Sequence, residues 1–487
     1  MEGAQVSIRY TPPGHVRDVE AFRARWRATG PGLDCDVALE GADGPLGSPI
    51  EAFGKRLTNR WAVHPMEGWD GTTDGRPTDN TLRRWRRFGR SGAALVWGGE
   101  AFAVEAGGRA NPNQLYGDPA VDVAASLASL RDEVVAGRAE VGYGAEPFAL
   151  GLQLTHSGRF ARPTAAGPLP RVAYRHPVLD ARFGVASDDL VFTDIELEAI
   201  AERFVDVARI AHEVGYDFVD VKCCHGYLLH ELLGAHTRDG PYGGSFENRT
   251  RLFRGIVEGV RDACPGLEIG CRASIVDTHP FAAGDAGVGA PVGWESHLPY
   301  RYGFGVDEDD PRRPSFEEPL AFLRMLRGMD IRVVNLSVGS PYYNPHIQRP
   351  ATYPPSDGYL PPDDPLAGVA FHVDAVRRCK QAVPELVVVG SGYTYLQEWL
   401  PYVAQFEVRH GHADFVGIGR MMLSYPELPA DVLAGRPLQR KRVCRTFSDC
   451  TTGPRHGMLS GCFPLDDHYR SLPEAGRIKQ VKKELDR

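Results

Sequence analysis

Residues Val219–Arg249 read VDVKCCHGYLLHELLGAHTRDGPYGGSFENR: an apolar, β-branched run closes on a cation, an imidazole and a phenol, and a glycine-rich turn follows. A short run of this kind is a buried strand when its flanks are helical, so the flanks decide the fold. Before it, across Thr193–Val214, Ile195, Leu197, Ile200, Phe204, Val207, Ile210 and Ala211 recur near helical spacing; after it, across Phe246–Ala263, Phe253, Ile256, Val257 and Val260 do the same. Asp194 is the expected cap of the first helix, with Leu197 standing where a capping box would want Glu or Gln.

Outward from this unit the alternation repeats along the chain. The expected strands are Arg60–Pro65, Ala93–Gly99, Phe148–Leu154, Asp217–Lys222, Glu268–Ser274, Ile331–Ser337, Leu386–Gly390 and Phe415–Gly419. Short β-rich runs separated by helical patterns make a parallel sheet, and eight such strands close a (βα)₈ TIM barrel. The α/β chain therefore divides into an N-terminal extension (1–54) with a helix near Val19–Thr29, a barrel (55–435) and a C-terminal extension (436–487). Two segments rich in Gly and Pro, Asp277–Arg313 and Pro341–Pro365, are expected to arch over the barrel mouth; surface insertions without order are the alternative.

Composition narrows the function. The 487 residues are 43% hydrophobic, enough for one large core, and the net charge of -8 with scattered basic residues shows no footprint for nucleic acid. The N-terminus lacks a basic-then-apolar leader and no run approaches the ~20 apolar residues of a membrane span. The nine cysteines form no even framework, which fits a reducing compartment. The expectation is a cytoplasmic protein acting on a small molecule, with no nucleic-acid or membrane partner; homo-oligomerisation stays open.

In a (βα)₈ barrel the chemistry lies at the C-terminal strand ends. That rule selects Pro65, Met66 and Glu67, Gly98 and Gly99, Gln153 and His156, Lys222 to Tyr227, Arg272, Gly339, Gly390 to Gly392, and Gly419 with Arg420. Gly390-Ser391-Gly392 and Gly417-Ile418-Gly419-Arg420 follow the last two strands, where backbone N–H groups and a guanidinium can hold a phosphate; ordinary turns are the alternative. Gln153 offers a mixed donor and acceptor edge to a heterocycle, and Arg272 offers charge to an anion; a buried polar layer is the competing reading for each. Lys222, His225 and Tyr227 form K-x-x-H-x-Y, in which two donors can grip a carbonyl oxygen while the phenol delivers a proton. A desolvated lysine at a strand end can instead form a Schiff base.

These residues meet a family pattern. HGYLL followed by RDGPYGGSFENRTR resembles the Old Yellow Enzyme family of FMN-dependent NADH:flavin oxidoreductases, as do LTNRWAVHPM, QLTHSGR, CRAS and DFVGIGRMMLSYPEL, in order, over about Leu57 to Leu428. The resemblance implies the same barrel and an FMN held by Pro65, Met66, Gly99, Gln153, Arg272, Gly390, Ser391, Gly392, Gly419 and Arg420. It also implies substrate carbonyl binding at Lys222 and His225, Tyr227 as proton donor, and NAD(P)H as reductant. The expected reaction is hydride transfer through the flavin to the C=C of an α,β-unsaturated carbonyl compound, or the reverse desaturation. A Schiff-base lyase using Lys222 and a flavin-binding electron-transfer subunit are the alternatives.

The departures are specific. Lys222 stands where the family usually has His, which favours a more anionic substrate oxygen or a carboxylate. Glu67 stands where relatives carry Cys or Thr: close to the flavin it would oppose reduction, and turned away it would pair with an arginine. Cys444, Cys450 and Cys462 form C-x5-C-x11-C, similar in its last spacing to the [4Fe–4S] motif of the 2,4-dienoyl-CoA reductase and trimethylamine dehydrogenase branch, with His456 or Asp449 as a fourth ligand. A metal-free loop of packed thiols is the other reading. The expectation is a chain without that branch's dinucleotide-binding domains.

Overall fold

The computed structural model describes residues 10–484. Eight parallel strands close on themselves: β1 (Trp61–Val63), β2 (Leu95–Val96), β3 (Ala149–Thr155), β4 (Phe218–Val221), β5 (Glu268–Ser274), β6 (Val333–Ser337), β7 (Val387–Gly390) and β8 (Phe415–Ile418). Closure is made where Val416 of β8 pairs with Trp61 of β1, and Ala62 pairs with Leu95 of β2. All eight expected strands are present. Every residue of β3, β4 and β6 is buried, because each faces either the barrel interior or a helix.

The second strand differs from its expected span. It stops at Val96, and the chain then resumes pairing with β3 over Ala101–Ala103. The cause lies at Gly98 and Gly99: a Cβ on Gly98 would stand 2.8 Å from the backbone N of Gln153, and Gly99 has φ +51. The backbone turns there because only glycine permits the approach.

The major helices follow their strands: α1 (Asp79–Gly89), α2 (Val123–Glu140), α3 (Asp194–Val214), α4 (Arg251–Ala263), α5 (Glu317–Gly328), α6 (Pro365–Ala382) and α7 (Leu400–Arg409). The cap of α3 corrects the expectation. Thr193, not Asp194, is the N-cap: its hydroxyl accepts from Glu196 N while Glu196 accepts from Thr193 N at 2.8 Å, so the capping box is complete one residue earlier. The helical pattern of Phe246–Ala263 is likewise interrupted at Thr250.

The N-terminal segment is part of the barrel's support. The helix Val19–Thr29 buries Phe22 and Trp26, Phe22 stacks on Trp399 at 5.4 Å, and Arg25 pairs with Asp364 at 2.7 Å. The hairpin of Ile50–Ala52 and Lys55–Leu57 drives Phe53 into the barrel floor, stacked on Phe218 at 3.7 Å. Residues 1–9 of the expected extension lie outside the described residues.

At the other end, α8 (Asp449–Arg455) and α9 (Glu474–Glu484) enclose a small core of Met458, Phe463, Tyr469, Ile478 and Val481. Bidentate contacts of 2.8 and 2.9 Å from Arg83 of α1 to Asp466 fasten this segment, and Trp69 N donates to Ser460 Oγ at 2.9 Å. The C-terminal extension thereby returns to the barrel mouth. Among the described residues no helix is long and apolar enough to cross a membrane.

Candidate active site

The strand ends open into one cavity of about 260 Å³. Pro65, Met66, Gln153, Lys222, His225, Tyr227, Arg272, Ser391, Gly392, Gly419, Arg420 and Cys450 all line it. Four of the expected FMN-holding residues and cysteines stand outside its wall: Gly99 packs against Trp85, Gly390 against Tyr393, and Cys444 and Cys462 line a neighbouring space of about 20 Å³ with Cys450, Asp449 and Arg420; of the other strand-end residues, Gly98, His156 and Gly339 also lie outside it. Asp449 is committed to Lys482 at 2.9 Å, and His456 does not line that space. Burial pushes the thiols of Cys444 and Cys462 above the usual range.

At the end of β4, burial lowers the proton affinity of Lys222, whose Nζ sits 3.8 Å from the centre of the Tyr227 ring. His225 is held at φ +67; its backbone N–H donates to Ser274 Oγ at 3.0 Å, and its Nε2 lies 3.0 Å from Gln348 Nε2 and 3.3 Å from Ser337 Oγ. Burial first, then Arg272 and Lys222, keep this imidazole well below its usual pKa, hence neutral at pH 7. With the Gln348 amide donating to Nε2, the ring proton sits on Nδ1. Burial, reinforced by Glu67, holds the Tyr227 phenol well above its usual range.

Glu67 lines the cavity and does not turn away to an arginine. Among the described residues it forms no ion pair with arginine; Oε2 accepts from the Tyr227 hydroxyl, and Oε1 accepts from Trp69 Nε1 at 3.1 Å and Asn111 Nδ2 at 3.0 Å. A carboxylate satisfied by three donors has no need of a guanidinium. The loop that carries it is tied down by Arg84, which reaches Asp70 at 2.8 Å and Glu100 at 2.6 Å in full burial. Burial pushes the Glu100 carboxyl up to about 7.

Gln153 and Arg272 meet over a carboxylate that sequence reasoning did not select. Asp220 Oδ2 accepts from Gln153 Nε2 and Trp97 Nε1, both at 2.6 Å, and Oδ1 accepts from Arg272 N at 2.7 Å. Its place in the alternation of β4, one turn of the pleat before Lys222, was the available signal. The Gln153 carbonyl and its second amide hydrogen are left for the cavity. The Arg272 side chain reaches only Pro65 O, at 3.4 Å, and its buried Nε lacks a partner.

The far end of the cavity was half foreseen. Arg420 donates to Pro350 O at 2.8 Å but leaves a buried Nη1 without a partner, and Arg349 leaves a buried Nη2 in the same condition. Burial, then the charge of Arg420, lowers Arg349 to about 10. A Cβ at Gly419 would have His64 Cβ, 3.9 Å away, as its nearest contact, so the glycine leaves the cavity open beside these groups. Arg349 lies in the Pro341–Pro365 excursion, which the sequence marked as a whole without marking this residue. His64, hydrogen-bonded to Asn335 and Ser391 at 3.1 Å each, and Tyr342, Arg455 and Ser460 were also missed. The last two come from the C-terminal extension, where nothing local predicts a return to the mouth.

Lys222, Arg272, Arg349 and Arg420 thus line one cavity, and among the described residues none forms an ion pair. Like charges held together without ion-pair partners repel, and an anionic ligand relieves the repulsion.

The comparisons agree with this geometry. Residues 45–284 match the model of the NADH:flavin oxidoreductase / NADH oxidase family. An NADPH dehydrogenase of Geobacillus sp. (strain WCH70) is 30% identical over 247 residues, covering 48% of this chain and 64% of that protein. An NADH oxidase of Thermoanaerobacter brockii is 25% identical over 313 residues, covering 64% of this chain and 40% of that protein. The chain therefore spans less than two thirds of the length of either relative. The structure of an old yellow enzyme homologue from Zymomonas mobilis superposes with a TM-score of 0.55 at 18% identity, covering 81% of this chain and 94% of that one, which shows a shared fold. By the match of residues 45–284, just under half of its length, and by these relatives, the chain is similar to the NADH:flavin oxidoreductase / NADH oxidase family.

Proposed function

We propose that this chain is an FMN-dependent oxidoreductase that moves hydride between NAD(P)H and a conjugated carbonyl compound. The observation that carries the reading is the row of cations that form no ion pair among the described residues, under the glycine turns of β7 and β8 and leading to Lys222, His225 and Tyr227. The residues fit the cofactor: Arg349 and Arg420, with backbone N–H groups at Gly392 and Gly419, suit its phosphate, and Gln153 and Arg272 suit the polar edge of its ring. When bound, the flavin supplies two-electron hydride chemistry between a nicotinamide and carbon.

The chain's own residues do the rest. Lys222 and the Nδ1–H of His225 donate to the substrate oxygen and stabilise the negative charge that develops on it. Tyr227 exchanges a proton with the carbon next to the carbonyl. Arg272 favours negative charge on the neighbouring heterocycle. The expected substrate bears an oxygen more anionic than a plain ketone, because Lys222 carries a charge where a neutral imidazole would not.

Equilibrium titration of the flavin-free protein with FMN and with riboflavin tests the phosphate assignment. Tighter binding of FMN by about 100-fold is expected from two charge-assisted contacts; equal affinity would contradict it. Burial lowers the proton affinity of Lys222, which favours Schiff-base chemistry as a second reading, for which borohydride trapping of a carbonyl adduct is the check.

A further inference from the structure

A phenol has one proton to donate, and the proton of Tyr227 is committed within the protein. It is given to Glu67 Oε2, while the Tyr342 hydroxyl, 2.8 Å away, has Tyr227 Oη as its acceptor. Among the described residues both Glu67 oxygens face only donors: Tyr227, Trp69 Nε1 and Asn111 Nδ2. Lys222 and Arg455 are the cations that feel its charge, and the Arg84–Asp70–Glu100 cluster stands behind Gly68, whose N–H donates to Glu100 at 2.6 Å. Glu67 also lines the cavity, so it can exchange a proton with solvent before substrate closes the mouth.

Resting on the functional reading above, we propose that Glu67 is the proton reservoir of this site and that the substrate proton travels through the Tyr227–Glu67 hydrogen bond. In the reductive direction the substrate gains a hydride, originating in the dihydronicotinamide, and a proton from Tyr227. The Tyr227 O–H bond breaks as the substrate C–H bond forms, and Tyr227 recovers a proton from Glu67, which ends as a carboxylate. In the oxidative direction the substrate proton passes to Tyr227 as the phenol's own proton passes to Glu67, which later releases it to water. The geometry seen here, with Glu67 accepting, is the end state of a reduction and the starting state of a desaturation. Each reductive turnover therefore begins with proton uptake at Glu67. Glu67 is a positioning residue, since it acts through Tyr227.

The test uses the full chain reconstituted with FMN and labelled with carbon-13 at tyrosine Cζ, the Tyr227 resonance being assigned by its loss in Tyr227→Phe. In the unsubstituted protein this resonance is expected to move as Glu67 takes up a proton on acidification, and in Glu67→Gln to stay fixed. Tyr342→Phe, which removes the neighbouring hydroxyl and keeps Glu67, is expected to retain the movement. In parallel, reoxidation of the reduced enzyme by cyclohexenone is expected to slow about 10-fold or more in Glu67→Gln and to lose its acid-favoured pH profile. A Tyr227 resonance indifferent to pH in the unsubstituted protein, or a Glu67→Gln enzyme with the original rate and profile, overturns the relay. A chain that takes up no FMN overturns the functional reading, and the resonance of the flavin-free protein then decides the relay by itself.

Discussion

Tyr227 gathers more of the site's contacts than any role as a simple acid requires: Glu67, Tyr342 and the Lys222 ammonium all meet its ring or hydroxyl. Tyr227→Phe keeps the ring under Lys222 and removes only the proton carrier. We expect it to slow substrate reduction by about 100-fold while leaving flavin reduction by NAD(P)H intact, as resolved by stopped-flow measurement of the two half-reactions. Arg349 makes a separate prediction. It feels the charge of Arg420 and keeps a buried Nη2 without a partner among the described residues, so Arg349→Met is expected to weaken FMN binding by about 10-fold and riboflavin binding far less, as read by fluorescence titration. Lys222, His225 and Tyr227 were legible because three reactive groups sat within six residues of one strand end. Arg349 and Arg455 were not, because a loop residue reaches a site only through the path of its loop.

At the scale of elements, the first βα connection is held by a buried charge cluster. Arg84 on α1 satisfies Asp70 in the loop after β1 and Glu100 after β2, with both carboxylates essentially inaccessible to water. Arg84→Leu would leave two unpaired acids in the interior, and a loss of about 3–5 kcal/mol in stability is expected by denaturant unfolding. The site should suffer as well, since the same loop presents Glu67. The eight strands were legible because apolar runs of the right length alternate with helical periods. What escaped was local geometry: the break of the second strand at Gly98–Gly99 and the capping of α3 by Thr193 depend on close approaches that spacing does not encode. The pairing of the C-terminal extension with α1 through Arg83 and Asp466 joins residues far apart in sequence, beyond the reach of any local pattern.

For the whole molecule, stability should carry the mark of a buried acid beneath the long excursion after β5. Burial pushes Asp277 up to about 7, with Tyr343 donating to it at 3.0 Å. The folded state therefore keeps a proton that the unfolded chain releases above about pH 4. This contribution is fully present below that pH and is lost as pH rises through about 7, so Asp277→Asn is expected to flatten the fall in melting temperature over that window, as followed by calorimetry. The barrel, the C-terminal extension and the Pro341–Pro365 excursion meet around one cavity, and the account stands on what fills it. The most direct measurement is the absorbance of the full chain after incubation with FMN and removal of unbound flavin, followed anaerobically as NAD(P)H and then cyclohexenone are added. Retained flavin bands that bleach with the nicotinamide and return with the enone are the predicted result; a colourless protein that retains no flavin would contradict the central claim.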